Sequence, residues 1–255
     1  MRLRAALLPA ALCGRRPFYG VANRAMAPTL SVEVVPILAD NYGFIVRDSL
    51  NQECWTVDPA DPGAMEAAIK RGDEELIAIL CTHYHWDHVG GNEELSRKFK
   101  GISVYGPADE AIPARTHGVK PGDVLKMGAA TVEVLRAGCH TRGHLMYNVS
   151  GDPDRAPMLF SGDTLFVCGC GRFFEGDAQD MHDVLFSERF SQLPDETEVY
   201  CGHEYTEANI EFALSVDPEN VALQAKADAV RELRRQGRPT VPSTLGEERR
   251  CNPFL

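Results

Sequence analysis

Basic residues are scarce in this chain of 255, where Lys and Arg number 26 against 37 Asp and Glu for a formal net charge of −11. So acidic a surface repels phosphate backbones, and nucleic acid is excluded as a general partner. Long hydrophobic runs are missing too: Ala5 to Cys13 is short and broken by Pro9, and no stretch reaches spanning length. No transmembrane helix and no membrane partner are therefore predicted. Eight cysteines are too few for a disulfide scaffold, and they sit in apolar, strand-like segments such as Leu76 to Cys81 and Val199 to Cys201. They read as reduced thiols. Cys168-Gly-Cys170 lacks the second pair that a zinc site of that type needs, so it reads as two small buried thiols. With 44% hydrophobic residues and 22 Gly and 16 Pro, what remains is ordinary globular composition, enough to bury a core without a metal or a disulfide.

Acidic residues are themselves missing from one place, since none precedes Glu33 while Arg2, Arg4, Arg15, Arg16 and Arg24 all fall there. An acid-free, Arg-rich, Ala/Leu-rich leader is the composition of an organellar transit peptide. Residues 1–30 are read as that leader, with the mitochondrion first and a plastid second. A secretory signal is the rival, weakened by Pro9 and by Arg15-Arg16. Initiation at Met26 would yield a leaderless cytosolic form.

After the leader, short β-rich runs follow quickly: Ser31 to Leu38, Tyr42 to Arg47 and Glu53 to Val57, with Asp40-Asn41 and Asn51 as turn chemistry. They are predicted to be hairpin-connected antiparallel strands. Asp61-Pro62, an apolar stripe to Ile69 and Gly72 spell a capped helix. A buried strand Leu76 to Cys81, a helix capped by Asn92, and strands at Ile102 to Tyr105, Thr131 to Leu135, Met146 to Val149 and Met158 to Phe160 follow. Asp180 is predicted to cap a helix running through Leu185 to Leu193, and Glu198 to Cys201 returns to strand. From Thr206 the character turns helical. Asp217-Pro218 opens a run with Val221, Ala225, Ala229, Val230 and Leu233 at helical spacing, and Gly237 closes it. Arg238 to Leu255 shows no helical period. The expectation is an α/β body over 31–205, sheets flanked by helices, with a helical C-terminal segment over 206–255.

Thr82-His83-Tyr84-His85-Trp86-Asp87-His88 packs three of the eight histidines and a carboxylate into a loop directly after a predicted strand. Side chains two apart in an extended stretch point the same way, so His83 and His85 can share one ion, while Asp87 and His88 can face a second. A lone histidine usually does nothing but titrate. Here three further strand ends deliver the same chemistry: Gly138-Cys139-His140, Gly162-Asp163-Thr164 and Gly202-His203-Glu204. Imidazole and carboxylate donors suit zinc, iron or manganese, with zinc the default.

These residues resemble the metallo-β-lactamase superfamily, and in detail its glyoxalase II branch, the hydroxyacylglutathione hydrolases. The resemblance is carried by THYHWDHVGGN at Thr82 to Asn92, CHTRGHLMY at Cys139 to Tyr147, GDTLFVCGCGRFFEG at Gly162 to Gly176 and GHEYT at Gly202 to Thr206. VPSTLGEERRCNPFL at Val241 to Leu255 also reads like the family's later part. It implies the αββα sandwich of that superfamily, with the domain over 31–205 and a C-terminal segment over 206–255 shortened relative to the family.

It further implies two divalent ions, zinc before iron or manganese, with His83, His85 and His140 on one, Asp87, His88 and His203 on the other, and Asp163 bridging. Asp87 and Asp163 are then the catalytic carboxylates, and a hydroxide between the ions is the implied nucleophile. The implied reaction is hydrolysis of a small glutathione thioester, S-D-lactoylglutathione, to D-lactate and glutathione, as in methylglyoxal detoxification. Arg172, Phe174 and Tyr205 match positions that approach the substrate. In the family, basic residues beyond the Asn-Pro-Phe stretch meet the glutathione carboxylate, and Arg249 and Arg250 are the expected substitutes here. His144, His117 and His182 match no ligand and are expected to be structural. A monomer is the expected state. Two alternatives stand beside this reading: a persulfide dioxygenase-like enzyme with a single iron, and a non-catalytic regulatory homologue. The seven donors favour two metals, and a metal analysis with a thioester assay separates all three.

Overall fold

The computed structural model describes residues 29–255. The predicted leader, apart from its last two positions, lies outside the described residues. Six strands build the first sheet in chain order: β1 (Leu30–Ile37), β2 (Asn41–Asp48), β3 (Glu53–Val57), β4 (Glu75–Leu80), β5 (Ser103–Pro107) and β6 (His117–Val119). β1 to β3 are antiparallel, as the turn chemistry predicted, and β3 to β6 are parallel. The parallel connection from β3 to β4 runs through helix α1 (Pro62–Ile69), where Asp61 accepts from the N–H groups of Gly63 and Ala64 and Pro62 takes the first turn. Between β4 and β5 lie α2 (Trp86–Val89) and α3 (Asn92–Lys98).

The second sheet gathers β7 (Val124–Met127), β8 (Ala130–Arg136), β9 (Leu145–Ser150), β10 (Met158–Gly162), β13 (Glu198–Cys201) and β14 (Ser243–Thr244) in the spatial order 14-13-10-9-8-7. A two-stranded ribbon of β11 (Leu165–Phe166) and β12 (Gly169–Cys170) projects after β10. Helices α4 (Ala178–Leu185) and α5 (Glu188–Ser191) precede β13, and α6 (Thr206–Val216), α7 (Val221–Arg235) and α8 (Leu245–Cys251) complete the chain. No helix among the described residues is long and apolar enough to cross a membrane.

Strand alternation sorts the apolar side chains into three layers. Phe44, Val46, Trp55 and Leu80 of the first sheet meet Val132, Val134, Tyr147 and Phe160 of the second in one buried cluster. Ile45, Cys54 and Ile79 turn outward onto Met65, Ala68 and Leu95 of α1 and α3. Leu159, Val199 and Met146 turn the other way onto Met181, Val184, Phe190 and Leu245. Helices therefore cover both outer faces of two stacked sheets, the predicted αββα sandwich. The Phe44 ring meets Phe160 and Tyr200 edge-on, with centroids 5.4 and 5.5 Å apart, and such fully buried rings contribute about 1.5 to 3 kcal/mol each.

Several local expectations are corrected. Asp177, not Asp180, caps α4, because Asp180 sits at the third helical position and closes a reciprocal capping box. The helix predicted to reach Leu193 breaks after Leu185, and Ser187 caps the separate α5. Gly91 rather than Asn92 precedes α3, and the Asn92 side chain instead donates to Pro113 O. Asn220 caps α7, while Asp217 ends α6. The segment read as lacking helical period contains α8, capped by Thr244. Its period was hidden because one of its buried positions is a carboxylate, Glu248.

Candidate metal centre

Four strands aim their carboxyl ends at one rim. β4 delivers residues 82–88, β8 delivers His140, β10 delivers Asp163 and β13 delivers His203. Two of the junctions need glycine. At Gly162 (φ +50°) a Cβ would stand 2.6 Å from Thr82 Oγ1, and at Gly202 it would stand 2.4 Å from Asp163 Oδ1. Backbone thus approaches the cluster closely enough to exclude any side chain.

All seven predicted donors come together. His83, His85 and His140 form one group, Asp87, His88 and His203 another, and Asp163 joins His83 and His88 in a third, with the donor atoms of each group within 4.8 Å of one another. His85 Nδ1 lies 3.0 Å from His83 Nε2 and 3.1 Å from His140 Nε2. Asp163 Oδ2 lies 3.4 Å from His140 Nε2 and 3.3 Å from His203 Nε2, and its Oδ1 lies 3.4 Å from His88 Nε2. One carboxylate therefore spans both groups.

The outer nitrogens show how the rings are aimed. His83 Nδ1 is 3.0 Å from Thr82 Oγ1, His88 Nδ1 is 2.9 Å from Asp58 Oδ2, His203 Nδ1 is 2.9 Å from Asp40 Oδ1, and His140 Nδ1 is 3.0 Å from Arg172 O. Each bond orients an imidazole and leaves Nε2 facing inward, the arrangement metal-binding histidines use. Asn41 Nδ2 donates to Asp87 Oδ2 at 3.0 Å.

The donor set fits dications. His88 Nε2 and Asp163 Oδ1 are buried without a hydrogen-bond partner, a costly state unless a cation fills the gap. Protein charge stands in where it can. Against the cost of burial, Asp163 and then Asp58 hold His88 well above the usual histidine range. Burial raises Asp163, but His88 and His203 outweigh it and hold it well below the usual carboxylate range. Burial lowers His83, His85 and His140, so these three stay neutral and ready to donate lone pairs.

Above the cluster opens a cleft of about 780 Å³, lined by Trp86, Phe166, Cys170, Arg172, Phe174, Tyr205 and Asn209 as well as by cluster residues. Phe174 packs edge-on to His85 and His140, and the Tyr205 ring stacks on His203 at 4.7 Å. Arg172, Phe174 and Tyr205 thus line the cleft above the cluster. Arg249 and Arg250, expected at the substrate, do not line it. Arg249 pairs with Asp195 and donates to Leu193 O at 3.0 Å, while Arg250 borders a separate groove between α7 and α8. Two side chains of the last turn of α8 are drawn away from the cleft because that helix packs on the outer face of the second sheet through Leu245.

Sequence reasoning passed over Asp58, Asp40 and Thr82, which aim the ligands. Asp58 follows β3 in a Val-Asp-Pro turn, and Asp40-Asn41 reads as turn chemistry alone. A carboxylate at the carboxyl end of a strand was the available signal. His144 is structural, as expected, yet close to the site: its Nε2 accepts from Asp163 N at 3.1 Å and its ring stacks on His83 at 4.6 Å. His117 is exposed, and His182 stacks on Phe186.

Residues 55–203 match the model of the metallo-beta-lactamase superfamily, and residues 204–255 match that of the hydroxyacylglutathione hydrolase C-terminus. Hydroxyacylglutathione hydrolase cytoplasmic of Arabidopsis thaliana is 43% identical over 222 residues, covering 87% of this chain and 86% of that protein. A hydroxyacylglutathione hydrolase-like protein of Gallus gallus is 47% identical over 227 residues, covering 89% and 80%. The solved structure of a metallo-beta-lactamase from Staphylococcus aureus superposes with a TM-score of 0.66 at 20% identity, covering 88% of this chain and 62% of that one, a likeness of fold.

Proposed function

The chain belongs to the hydroxyacylglutathione hydrolase family within the metallo-β-lactamase superfamily, and from that premise we propose that it is the thioesterase that cleaves S-D-lactoylglutathione to D-lactate and glutathione. The observation that carries the reading is the complete seven-donor cluster at the floor of an aromatic cleft. Its fold implies a dinuclear His/Asp centre, and we assign the ions as zinc on donor softness, with iron or manganese as alternatives. His83, His85 and His140 would hold one ion, Asp87, His88 and His203 the other, and Asp163 both.

When bound, such ions lower the pKa of water toward 7 and polarise a thioester carbonyl. The protein groups supply the rest. Asp87 borders the cleft with one oxygen held by Asn41 Nδ2, and we assign this carboxylate to accept the proton of the attacking water. Phe174 and Tyr205 shield the imidazoles from bulk water and bound the acyl group. The Tyr205 hydroxyl, pushed up to about 12 by burial and by Asp40, keeps its proton and offers a donor to the substrate. Arg172 lines the cleft without an ion-pair partner among the described residues, which supports assigning it to a glutathione carboxylate. A thiolate leaves readily near neutral pH, so no strong acid is required.

The test is hydrolysis of S-D-lactoylglutathione by protein carrying its own metal. Release of glutathione and D-lactate in equal amounts supports the reading. Oxygen consumption with a glutathione persulfide and no thioester cleavage would replace it with the dioxygenase alternative, and no turnover with both ions bound would leave the regulatory one.

A further inference from the structure

Four of the five cluster histidines are aimed by a hydrogen bond to the outer ring nitrogen. His85 is the exception. Its Nδ1 faces the other donors, and its Nε2 has no protein partner among the described residues. The ring lies instead between two aromatic rings, Tyr84 at 4.9 Å and Phe174 at 5.9 Å, both edge-on. Those rings come from loops remote in sequence, and a single bond joins the loops: Tyr84 Oη donates to Glu175 Oε1 at 2.7 Å.

Glu175 also reaches the loop of His140. Its Oε2 accepts from Arg142 N at 2.8 Å, and its own N–H donates to Cys139 O at 3.3 Å. A second carboxylate grips the same loop from the segment after β5. Glu110 Oε1 accepts from the Thr141 hydroxyl and from Gly143 N at 3.0 Å. Residues 141, 142 and 143 are therefore each tied to one of two carboxylates. The approach is close enough to require glycine, because a Cβ at Gly143 would stand 2.6 Å from Glu110 Cγ. The loop presenting Glu110 is itself stapled by Arg115, whose Nη1 donates to Glu110 O at 2.6 Å and to Pro107 O.

We infer that Tyr84, Glu175 and Glu110 form a clamp of positioning residues that sets the geometry of the three-histidine metal site. The inference rests on the dinuclear reading of the cluster and deepens it. His85 Nδ1 must stay within about 3 Å of both His83 Nε2 and His140 Nε2, and no bond to its own outer nitrogen holds it there, so the loops that carry these rings must be held from outside. The clamp does for His85 what Asp58 and Asp40 do for His88 and His203. It touches none of Asp87, His88 and His203, whose partners are Asn41, Asp58 and Asp40. Its effect is accordingly confined to one of the two ions.

The experiment is chelator competition on the full chain loaded with two equivalents of zinc, in wild type, Tyr84→Phe and Glu110→Ala, read as ions retained per chain. Supporting bonds around metal ligands are worth about tenfold to a hundredfold in affinity. Glu110→Ala is expected to release one ion at a chelator concentration lower by that factor, while the second ion leaves as in wild type. Tyr84→Phe removes a single hydroxyl from an exposed ring and is expected to weaken the same ion severalfold. In cobalt-substituted protein, the ligand-field bands of one site alone should shift. Release curves identical to wild type in Tyr84→Phe, or equal weakening of both ions, overturn the clamp. If Glu110→Ala does not fold, Tyr84→Phe decides alone. A wild-type chain that holds fewer than two ions overturns the dinuclear reading and the clamp with it, and that failure shows before any variant is made.

Discussion

Asp163 lies within 3.4 Å of an imidazole nitrogen on His88, His140 and His203, which makes it the side chain most exposed to deletion. Asp163→Ala is expected to lower metal content below two ions per chain and to abolish thioester hydrolysis; elemental analysis alongside the assay checks both. If Arg172 meets the glutathione carboxylate as proposed, it acts on binding rather than on the chemistry. A charge-assisted contact is worth about 1.5 to 3 kcal/mol, so Arg172→Ala should raise KM roughly tenfold to a hundredfold with kcat nearly unchanged. A fall in kcat at unchanged KM would show that Arg172 serves the transition state instead. Protons separate the two ions. Burial already holds His83, His85 and His140 neutral, whereas His88 and His203 are raised, against burial, by Asp163. An ion entering the second group must displace protons that the first group does not carry. Its affinity should therefore fall more steeply as pH drops through the neutral range, and equal pH slopes for the two ions would contradict this.

At the scale of elements, α8 anchors the ribbon beside the cleft through one buried carboxylate. Glu248 Oε2 accepts from Cys168 N at 2.7 Å and from Asn252 Nδ2 at 3.1 Å, while its Oε1 lies 3.3 Å from Lys226 Nζ. Asn252 in turn donates to Phe166 O and Gly169 O. Glu248→Ala leaves the buried Cys168 N–H without its partner, while Lys226 keeps Glu247 Oε2 at 2.9 Å and Ser243 Oγ at 2.6 Å, so the expected cost is that of one unsatisfied buried donor, about 1 to 3 kcal/mol. Urea unfolding should register that loss, and a change below about 1 kcal/mol would mean that water replaces the carboxylate. This helix was illegible in the sequence for the same reason that it matters: its buried stripe contains a charge, and hydropathy reads charge as surface. The strands that end at Leu80, Arg136, Gly162 and Cys201 were legible because apolar runs there stop at glycine or polar residues. β6, β7 and β14 were not, being short and at or next to a sheet edge, where alternation is weak. Within the site, the inward donors stood out by type and spacing. Asp58, Glu110 and Glu175 did not, because their meaning depends on loops that only the fold brings together.

For the whole molecule, charge and architecture point to a small-molecule enzyme: an acidic surface, two sheets that converge on one rim, and an aromatic cleft above the donors. We propose further that residues 1–30 are an import leader. A reporter carrying it intact is expected to enter mitochondria, and cytosolic retention or secretion of that reporter would refute the assignment. On the proposed reading, one chain uses two ions to cleave a glutathione thioester. Its most direct test is elemental analysis of protein purified without added metal, with S-D-lactoylglutathione hydrolysis measured on the same sample as metal is withdrawn and returned. Full activity is expected to coincide with two divalent ions per chain and to be lost as the first of them leaves; full activity at one ion per chain would overturn the dinuclear reading.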